Sequence, residues 1–273
     1  MAVIPKFFME AVVSIGIENK GKPLWIGTGF FVARKIDASG NAFPFLVSNK
    51  HVFIGHEQIL IRMKEKDTEK LKTMKALLLK DGKKQYYEHP DPSIDVAVLP
   101  LNGSAIAENN LEFPCFDIYE HALTSQELVA QGVDEGSFVF MLGYPMALVN
   151  ETSQLPICRC GCIARMSKEQ INETHNVLVD IQNFPGNSGS PIVLRPELMS
   201  ITGTQAFSKS VLVGIVHSYI PYQEQLLNQQ TGKIVEVRSE NSGLAYMHPV
   251  EYIREIIDIH IPKPSKVGPN IAI

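Results

Sequence analysis

The sequence predicts an all-β protein made of barrels or of a sandwich. The main observation is a series of short runs rich in β-branched and aromatic residues, separated by turn residues. Many short strands at close spacing are typical of sandwiches and barrels rather than of alternating β-α-β units. The runs are 25–33, 43–48, 58–63, 95–101, 137–142, 177–181, 192–194 and 211–218.

A polar stretch from about residue 102 to residue 135 divides the strand-rich sequence into two halves. It carries Asn-Gly and Asn-Asn turn signals. Each half is about the size of one small barrel. We therefore expect an N-terminal unit over 1–105, a linker over 106–134, a C-terminal unit over 135–249, and a helix with a tail over 250–273.

Two further segments have a readable pattern. Residues 62–84 are rich in lysine with interleaved acidic residues, which predicts a solvated loop or hairpin and, as an alternative, a basic docking surface. Near the C-terminus, Val250, Ile253, Ile256 and Ile257 form one apolar stripe at helical spacing. The stripe follows a proline, a residue well suited to a helix start.

Composition narrows the range of partners and compartments. The 273 residues carry a net charge of −4, so we expect neither nucleic acid nor an anionic membrane as a partner. Lys6 and Glu10 interrupt the apolar N-terminus, which makes it a poor secretory signal. Only four cysteines occur, and a reducing compartment, most simply the cytoplasm, is the expected location.

The strongest chemical signal is the segment 184–193, Phe-Pro-Gly-Asn-Ser-Gly-Ser-Pro-Ile-Val. A nucleophilic serine needs a tight turn that exposes its Oγ and aims backbone N–H groups at a developing oxyanion. Gly186 and Gly189 supply the backbone freedom on either side of Ser188. We predict Ser188 as the nucleophile, with the N–H groups of Gly186 and Ser188 as the oxyanion hole.

A serine nucleophile also needs a base and a group that orients that base. His51 follows directly after the predicted strand 43–48, and Asp95 stands at the start of an apolar strand. A partly buried carboxylate there requires a compensating partner. Asp91 is the competing carboxylate, but it lies between prolines and is typical of a turn. The predicted catalytic residues are thus His51, Asp95 and Ser188.

With these segments the chain resembles the trypsin-like serine peptidases of the chymotrypsin fold, especially the bacterial HtrA-type and glutamyl-endopeptidase-type protease domains. The order His, Asp, Ser agrees. So do the motifs at 27–32 (Gly-Thr-Gly-Phe-Phe-Val), 143–145 (Gly-Tyr-Pro), 213–216 (Val-Gly-Ile-Val) and 243–249 (Gly-Leu-Ala-Tyr-Met-His-Pro). The resemblance covers nearly the whole chain without room for a PDZ domain. It implies two antiparallel six-stranded β-barrels, a short C-terminal helix, and a serine endopeptidase that requires no cofactor.

The resemblance also assigns substrate-binding positions, where this chain departs from its relatives. Gln182 occupies the position that gives trypsin its basic preference, and Val216, His217 and Ser218 follow in the strand that lines the S1 pocket. Strand alternation should turn His217 away from the Val216 side, which argues against glutamate specificity. We expect a small or medium uncharged P1 residue. Asn187 replaces the aspartate that pairs with a cleaved N-terminus, so we expect no activation by N-terminal cleavage.

Three alternatives stay open. Cys158, Cys160 and Cys162 could help to hold structural zinc with Cys115 or His175, although we predict no metal site. The fold could serve as a non-catalytic peptide-binding module. The enzyme could also be latent until an activating partner orders the oxyanion loop. The expected partner in all catalytic cases is a protein or peptide substrate.

Overall fold

The computed structural model describes residues 3–37, 40–68 and 70–261. Its N-terminal half begins with a short helix and continues with strands; a second short helix follows the third strand. The helices are α1 (Lys6–Glu10) and α2 (Lys50–Phe53). The strands are β1 (Val12–Asn19), β2 (Lys22–Lys35), β3 (Ala42–Ser48), β4 (Gln58–Lys64), β5 (Leu71–Leu77), β6 (Leu79–Lys80), β7 (Lys83–Lys84), β8 (Tyr87–Glu88) and β9 (Ala97–Pro100).

These strands form an antiparallel sheet in the order β5-β4-β1-β2-β3-β9-β8, while β6 and β7 make a separate two-stranded hairpin. The lysine-rich region is the β4–β5 hairpin, in register from Gln58 opposite Leu77 to Lys64 opposite Leu71. In the described part of the chain, no backbone ladder joins the two ends of the sheet. The strand pairing therefore shows a sheet in the N-terminal half of the described chain, but not the second closed barrel expected from the sequence.

The C-terminal half is a closed six-stranded barrel with the strand order β11-β12-β13-β16-β15-β14. Here the prediction of a six-stranded barrel is confirmed. Its strands are β11 (Phe138–Gly143), β12 (Ile157–Arg165), β13 (Val177–Asp180), β14 (Pro191–Leu194), β15 (Leu212–Leu227) and β16 (Ile234–Pro249).

The region between the two halves contains short secondary-structure elements of its own. They are α3 (Gly103–Glu108), β10 (Phe116–Asp117), which pairs in parallel with β2, and α4 (Ser125–Ala130). Helix α4 begins with a capping box in which Thr124 and Glu127 satisfy each other's backbone N–H groups. A further helix, α5 (Lys168–Thr174), connects β12 to β13.

The predicted C-terminal helix is present as α6 (Glu251–His260), with Val250 at its N-cap. Its apolar stripe of Ile253, Ile256 and Ile257 is fully buried. The helix packs into a core cluster that includes residues of both halves, such as Phe30, Val98, Leu142 and Ile215. Because that cluster is shared, the sheet and the barrel are held together by apolar packing between them.

Strands β15 and β16 continue well past the barrel as a two-stranded ribbon. Pairing runs from Pro221 opposite Asn241 to Leu227 opposite Ile234. Its side chains are almost all exposed, including Tyr222 and Val235. The sequence pattern predicted that the first of these strands ends at residue 218, and it did not predict the ribbon. Among the described residues, no helix has the length and apolar character needed to cross a membrane.

Candidate active site

The structure brings His51 and Asp95 together as a hydrogen-bonded pair. His51 lies in the first turn of α2, which is fixed below by the buried side chains of Val52 and Phe53. Its Nδ1 lies 2.5 Å from Oδ2 of Asp95, and its backbone N–H donates to Oδ1 at 3.0 Å. Because the carboxylate accepts the Nδ1 proton, Nε2 is left free to act as a base.

Asp95 is anchored at every polar group by neighbouring residues. Its carbonyl accepts hydrogen bonds from Nδ2 of Asn49 at 2.9 Å and from the Lys50 N–H at 3.4 Å. Its own N–H donates to Nε2 of His248 at 3.0 Å. Burial acts to raise the pKa of Asp95, but the hydrogen bonds and charge of His51 outweigh burial, and the pKa is lowered. The carboxylate is therefore ionised at neutral pH.

Asp91, the competing carboxylate, has the turn role that the sequence predicted. Its Oδ1 accepts hydrogen bonds from the Ser93 N–H at 2.9 Å and the Ser93 hydroxyl at 2.6 Å. This is a local Asx-type turn. Its Oδ2 lies 3.3 Å from Nε2 of His175. Asp91 thus contacts a different histidine from the one that contacts Asp95.

The Ser188 turn is held against β2 by Thr28. The Thr28 N–H donates to the Ser188 carbonyl at 2.9 Å, and the Thr28 hydroxyl donates to the Gly186 carbonyl at 2.7 Å. The same hydroxyl accepts the Tyr144 N–H at 3.1 Å. Thr28 thus joins the sheet to two loops of the barrel, and it was not predicted as a functional residue. Its position in the Gly-Thr-Gly motif was the available signal.

Both glycines of the motif adopt backbone conformations that require glycine. Gly186 has φ = 95°, and a Cβ there would lie 2.4 Å from the Tyr144 carbonyl. Gly189 has φ = 88°, and a Cβ there would lie 2.0 Å from the Thr28 carbonyl. Within the described ranges, neither the Gly186 N–H nor the Ser188 N–H has a hydrogen-bond acceptor. These two donors are therefore available to an oxyanion, as an oxyanion hole requires.

The second side-chain contact of a triad, between the serine hydroxyl and the imidazole, is not formed among the described residues. Among the described residues, no hydrogen bond joins the Ser188 hydroxyl to the His51 imidazole. The His51 side chain is 50% exposed and the Asp95 side chain 22% exposed. Catalytic hydrogen bonds are often long before substrate binds. The arrangement thus contains the predicted base, the predicted orienting carboxylate and two backbone donors without an acceptor among the described residues, with the predicted nucleophile on the adjoining turn.

The predicted substrate-binding residues fall in different environments. Gln182 is exposed, and His217 and Ser218 are half-buried. Val216 is fully buried in the barrel core, and its N–H and carbonyl are bonded to Ser190 and Gly189. The Val216 side chain thus packs in the barrel core, and its predicted role in substrate binding stays a prediction.

Strand β15 has a bulge at His217. Val216 pairs with Met247 and Ser218 pairs with Tyr246, which leaves His217 unpaired between them. Its Nε2 lies 2.7 Å from Oδ1 of Asn176. Burial, followed by the neighbouring His248, lowers the pKa of His217 to about 3, although the charge of Asp95 acts to raise it. His217 therefore lies behind the candidate triad as a neutral imidazole.

Asn187 has none of the polar partners that an ion pair would give it. It is 1% exposed, and in the described structure neither its side-chain nitrogen nor its side-chain oxygen has a hydrogen-bond partner. Its oxygen lies 2.7 Å from where a Cβ on Gly143 would stand, and Ser190 Oγ lies 2.0 Å from the same point. The end of β11 at Gly143 thus packs against the side chains of Asn187 and Ser190 too closely to admit a Cβ.

The cysteine-rich strand does not form a metal cluster with its candidate partners. The part of the chain that the structure describes contains no group of three or more His, Cys, Asp or Glu side chains placed to hold a metal ion. Cys158 and Cys160 are exposed free thiols on β12. His175 contacts Tyr252 and Asp91 instead, with its Nδ1 3.1 Å from the tyrosine hydroxyl.

Comparison with known proteins identifies the fold. No protein-family model and no curated protein matches the sequence. Among solved structures, the apo MamO protease domain from Magnetospirillum magneticum aligns with a TM-score of 0.50 and 16% identity. The alignment covers 92% of this chain and 97% of that chain. At this identity the similarity concerns the fold alone. The chain has the mostly β fold of a protease domain, with one closed six-stranded barrel beside a further sheet.

Proposed function

We propose that this protein is a serine endopeptidase of the trypsin-like type, with His51, Asp95 and Ser188 as its catalytic triad. The observation that carries the proposal is the His51–Asp95 pair, in which both carboxylate oxygens accept hydrogen bonds from one histidine. A surface ion pair would not need this two-point geometry. It orients the imidazole with Nε2 free, which is what a general base requires.

In the proposed mechanism His51 takes the Ser188 proton while Oγ attacks the carbonyl carbon of the scissile bond. Asp95 holds the imidazole in the required tautomer and stabilises the imidazolium that forms. The N–H groups of Gly186 and Ser188 bind the negative oxygen of the tetrahedral intermediate. His51 then gives the proton to the leaving amine, and water hydrolyses the acyl-enzyme by the same steps. The triad performs this chemistry without a cofactor.

The substrate of the proposed enzyme is a protein or peptide with a small or medium uncharged P1 residue. Gln182 offers no charge to a basic P1 side chain. His217 is occupied by Asn176 and lies behind Asp95, so it is unsuited to binding an acidic one. We also propose a cytoplasmic location, with neither nucleic acid nor a membrane as partner, in agreement with the net charge of −4.

A second candidate, a latent protease, is favoured by two observations. Within the described residues the Ser188 hydroxyl makes no hydrogen bond to His51. The neighbouring turn Pro145–Ala147 holds two consecutive non-glycine residues, Met146 and Ala147, at positive φ, a conformation that costs free energy. A partner that rearranged this turn would move the Gly186 segment, because the Met146 N–H donates to the Pro185 carbonyl.

Labelling with a fluorophosphonate, followed by peptide mapping, tests the proposal. We expect modification at Ser188 in the purified protein and no modification in His51→Ala. Ser188→Ala serves as the matched control for other reactive serines. Labelling of Ser188 only after a cellular partner is added would identify the latent form. Labelling that is absent under both conditions would exclude the endopeptidase and leave the peptide-binding module.

A further inference from the structure

His248, on strand β16 of the barrel, contacts the backbone of Asp95, the candidate catalytic carboxylate residue. His248 is 1% exposed. Its Nε2 accepts the Asp95 N–H at 3.0 Å. In the described structure this is the one hydrogen bond to Asp95 that comes from the barrel, since Asn49, Lys50 and His51 all belong to the N-terminal half.

The hydrogen bonds of His248 specify its protonation. The Asp95 N–H is a donor, so Nε2 must present a lone pair. On the other side of the ring, Nδ1 lies 2.8 Å from the carbonyl oxygen of His175, which can only accept. The proton must therefore be on Nδ1, and the ring must be neutral. A protonated ring would set an N–H against the Asp95 N–H.

Ring contacts fix the orientation of His248. The His217 ring stacks on it with a centroid distance of 4.2 Å and an interplanar angle of 11°. Tyr252 of α6 contacts it edge-on at 5.9 Å. The titratable groups that face His248 from the surrounding elements are Asp95, His89, His175, His217 and Tyr252. Only the first is negatively charged at neutral pH, and burial lowers the pKa of His248, which agrees with a neutral ring.

We propose that His248 is a positioning residue for Asp95, and that its Nδ1–H tautomer, set by the His175 carbonyl, fixes the carboxylate segment to the barrel that carries Ser188. Its effect on turnover rests on the proposed function. The tautomer and its effect on the His51–Asp95 bond do not. His248 thus holds the Asp95 segment of the N-terminal half in a fixed position relative to the barrel that carries Ser188.

Two substitutions separate this role from packing. His248→Phe keeps a ring against His217 but removes the acceptor, so the Asp95 N–H is left unpaired. His248→Gln can return an acceptor oxygen to that N–H without an ionisable ring. His260→Phe is the matched control, because the His260 ring also stacks on an aromatic ring, that of Tyr87 at 3.8 Å, but is exposed.

We expect His248→Phe to lower kcat about 10- to 100-fold with KM changed less than about twofold, since one buried donor loses its acceptor. His248→Gln should recover most of kcat, and His260→Phe should equal the parent. Equal losses in the Phe and Gln variants would indicate packing alone and would overturn the proposal. Thermal unfolding of each variant confirms that the folded protein is being compared.

A spectroscopic readout decides the question even for a protein without turnover. In protein labelled with ¹⁵N-histidine, long-range proton–nitrogen correlations show which ring nitrogen carries the proton. We expect the neutral Nδ1–H form for His248 at pH 7, and a weakened downfield His51 Nδ1–H signal in His248→Phe. An Nε2–H or charged His248, or an unchanged His51 signal in that variant, would refute the positioning role. Failure of fluorophosphonate labelling with both signals as expected would refute only the protease.

Discussion

The substitution Gly189→Ala tests whether the Ser188 turn depends on close backbone contact with β2. The added Cβ would lie 2.0 Å from the Thr28 carbonyl oxygen and 2.4 Å from Ser48 Oγ. Both atoms are already joined, since the Ser48 hydroxyl donates to the Thr28 carbonyl at 2.7 Å. Thr28 belongs to a strand with neighbours on both sides, so the Ser188 turn must move instead.

The expected loss has two components. A non-glycine residue at positive φ costs about 1–2 kcal/mol, and overpacking a fixed site costs about 1–3 kcal/mol more. Gly136→Ala isolates the first component, because Gly136 has the same φ of 88° and nothing within 4 Å of its Cβ position. We therefore expect urea unfolding to show a loss of about 2–5 kcal/mol for Gly189→Ala and about 1–2 kcal/mol for Gly136→Ala.

The rate of fluorophosphonate labelling supplies the functional readout. A displacement of the turn by about 1 Å should slow labelling of Ser188 by about 100-fold. Gly136→Ala should label at the parent rate. Equal stability losses in the two variants, or unchanged labelling of Gly189→Ala, would refute the argument that this contact positions the nucleophile.

Three further outcomes are expected. Asp95→Asn should lower kcat for a peptide substrate by about 10⁴-fold with the fold intact, because the amide no longer selects the tautomer with a free Nε2; circular dichroism and peptide hydrolysis check this. Thr28→Val should destabilise the protein by about 1–3 kcal/mol in urea and slow the labelling of Ser188, because the Gly186 carbonyl and Tyr144 N–H lose their shared partner. The pKa of His217 is lowered to about 3 in the folded protein and is about 6.5 in an unfolded chain. Its contribution to stability is thus present above pH 6.5 and is lost as the pH falls towards 3, at up to about 1.4 kcal/mol per pH unit. Urea unfolding between pH 7 and pH 4 should show a shallower dependence in His217→Phe.

Local patterns in the sequence were enough to predict many of the elements near the site. Strands β3 and β4 occur within a residue of their predicted bounds, and α6 buries the predicted stripe. His51 and Asp95 were predicted to belong to one site, and their side chains are in hydrogen-bond contact; their catalytic roles stay a prediction. Such inferences depend on the character of a few adjacent residues, which the sequence displays directly.

Features that depend on contacts between distant segments were beyond the sequence. The bulge at His217 leaves one residue of β15 unpaired, and nothing in a single strand's sequence announces an unpaired residue. His248 lies 153 residues from its partner Asp95, so only the folded barrel reveals the contact. The strand order of the N-terminal sheet is a similar case, because it depends on which strands pair and not on the pattern within any one strand.

The ribbon formed by the outer parts of β15 and β16 is continuous with the strand segments that carry His217 and His248. An isolated two-stranded ribbon has little stability of its own, so this one owes its order to the barrel strands from which it extends. From Tyr219 to Leu227 it reaches about 25 Å at the rise of an extended strand. Where the ribbon joins the barrel, β15 has the bulge at His217 and β16 carries His248. A change in the geometry of the ribbon would therefore reach the two imidazoles next to Asp95 through the backbone of the strands that carry them.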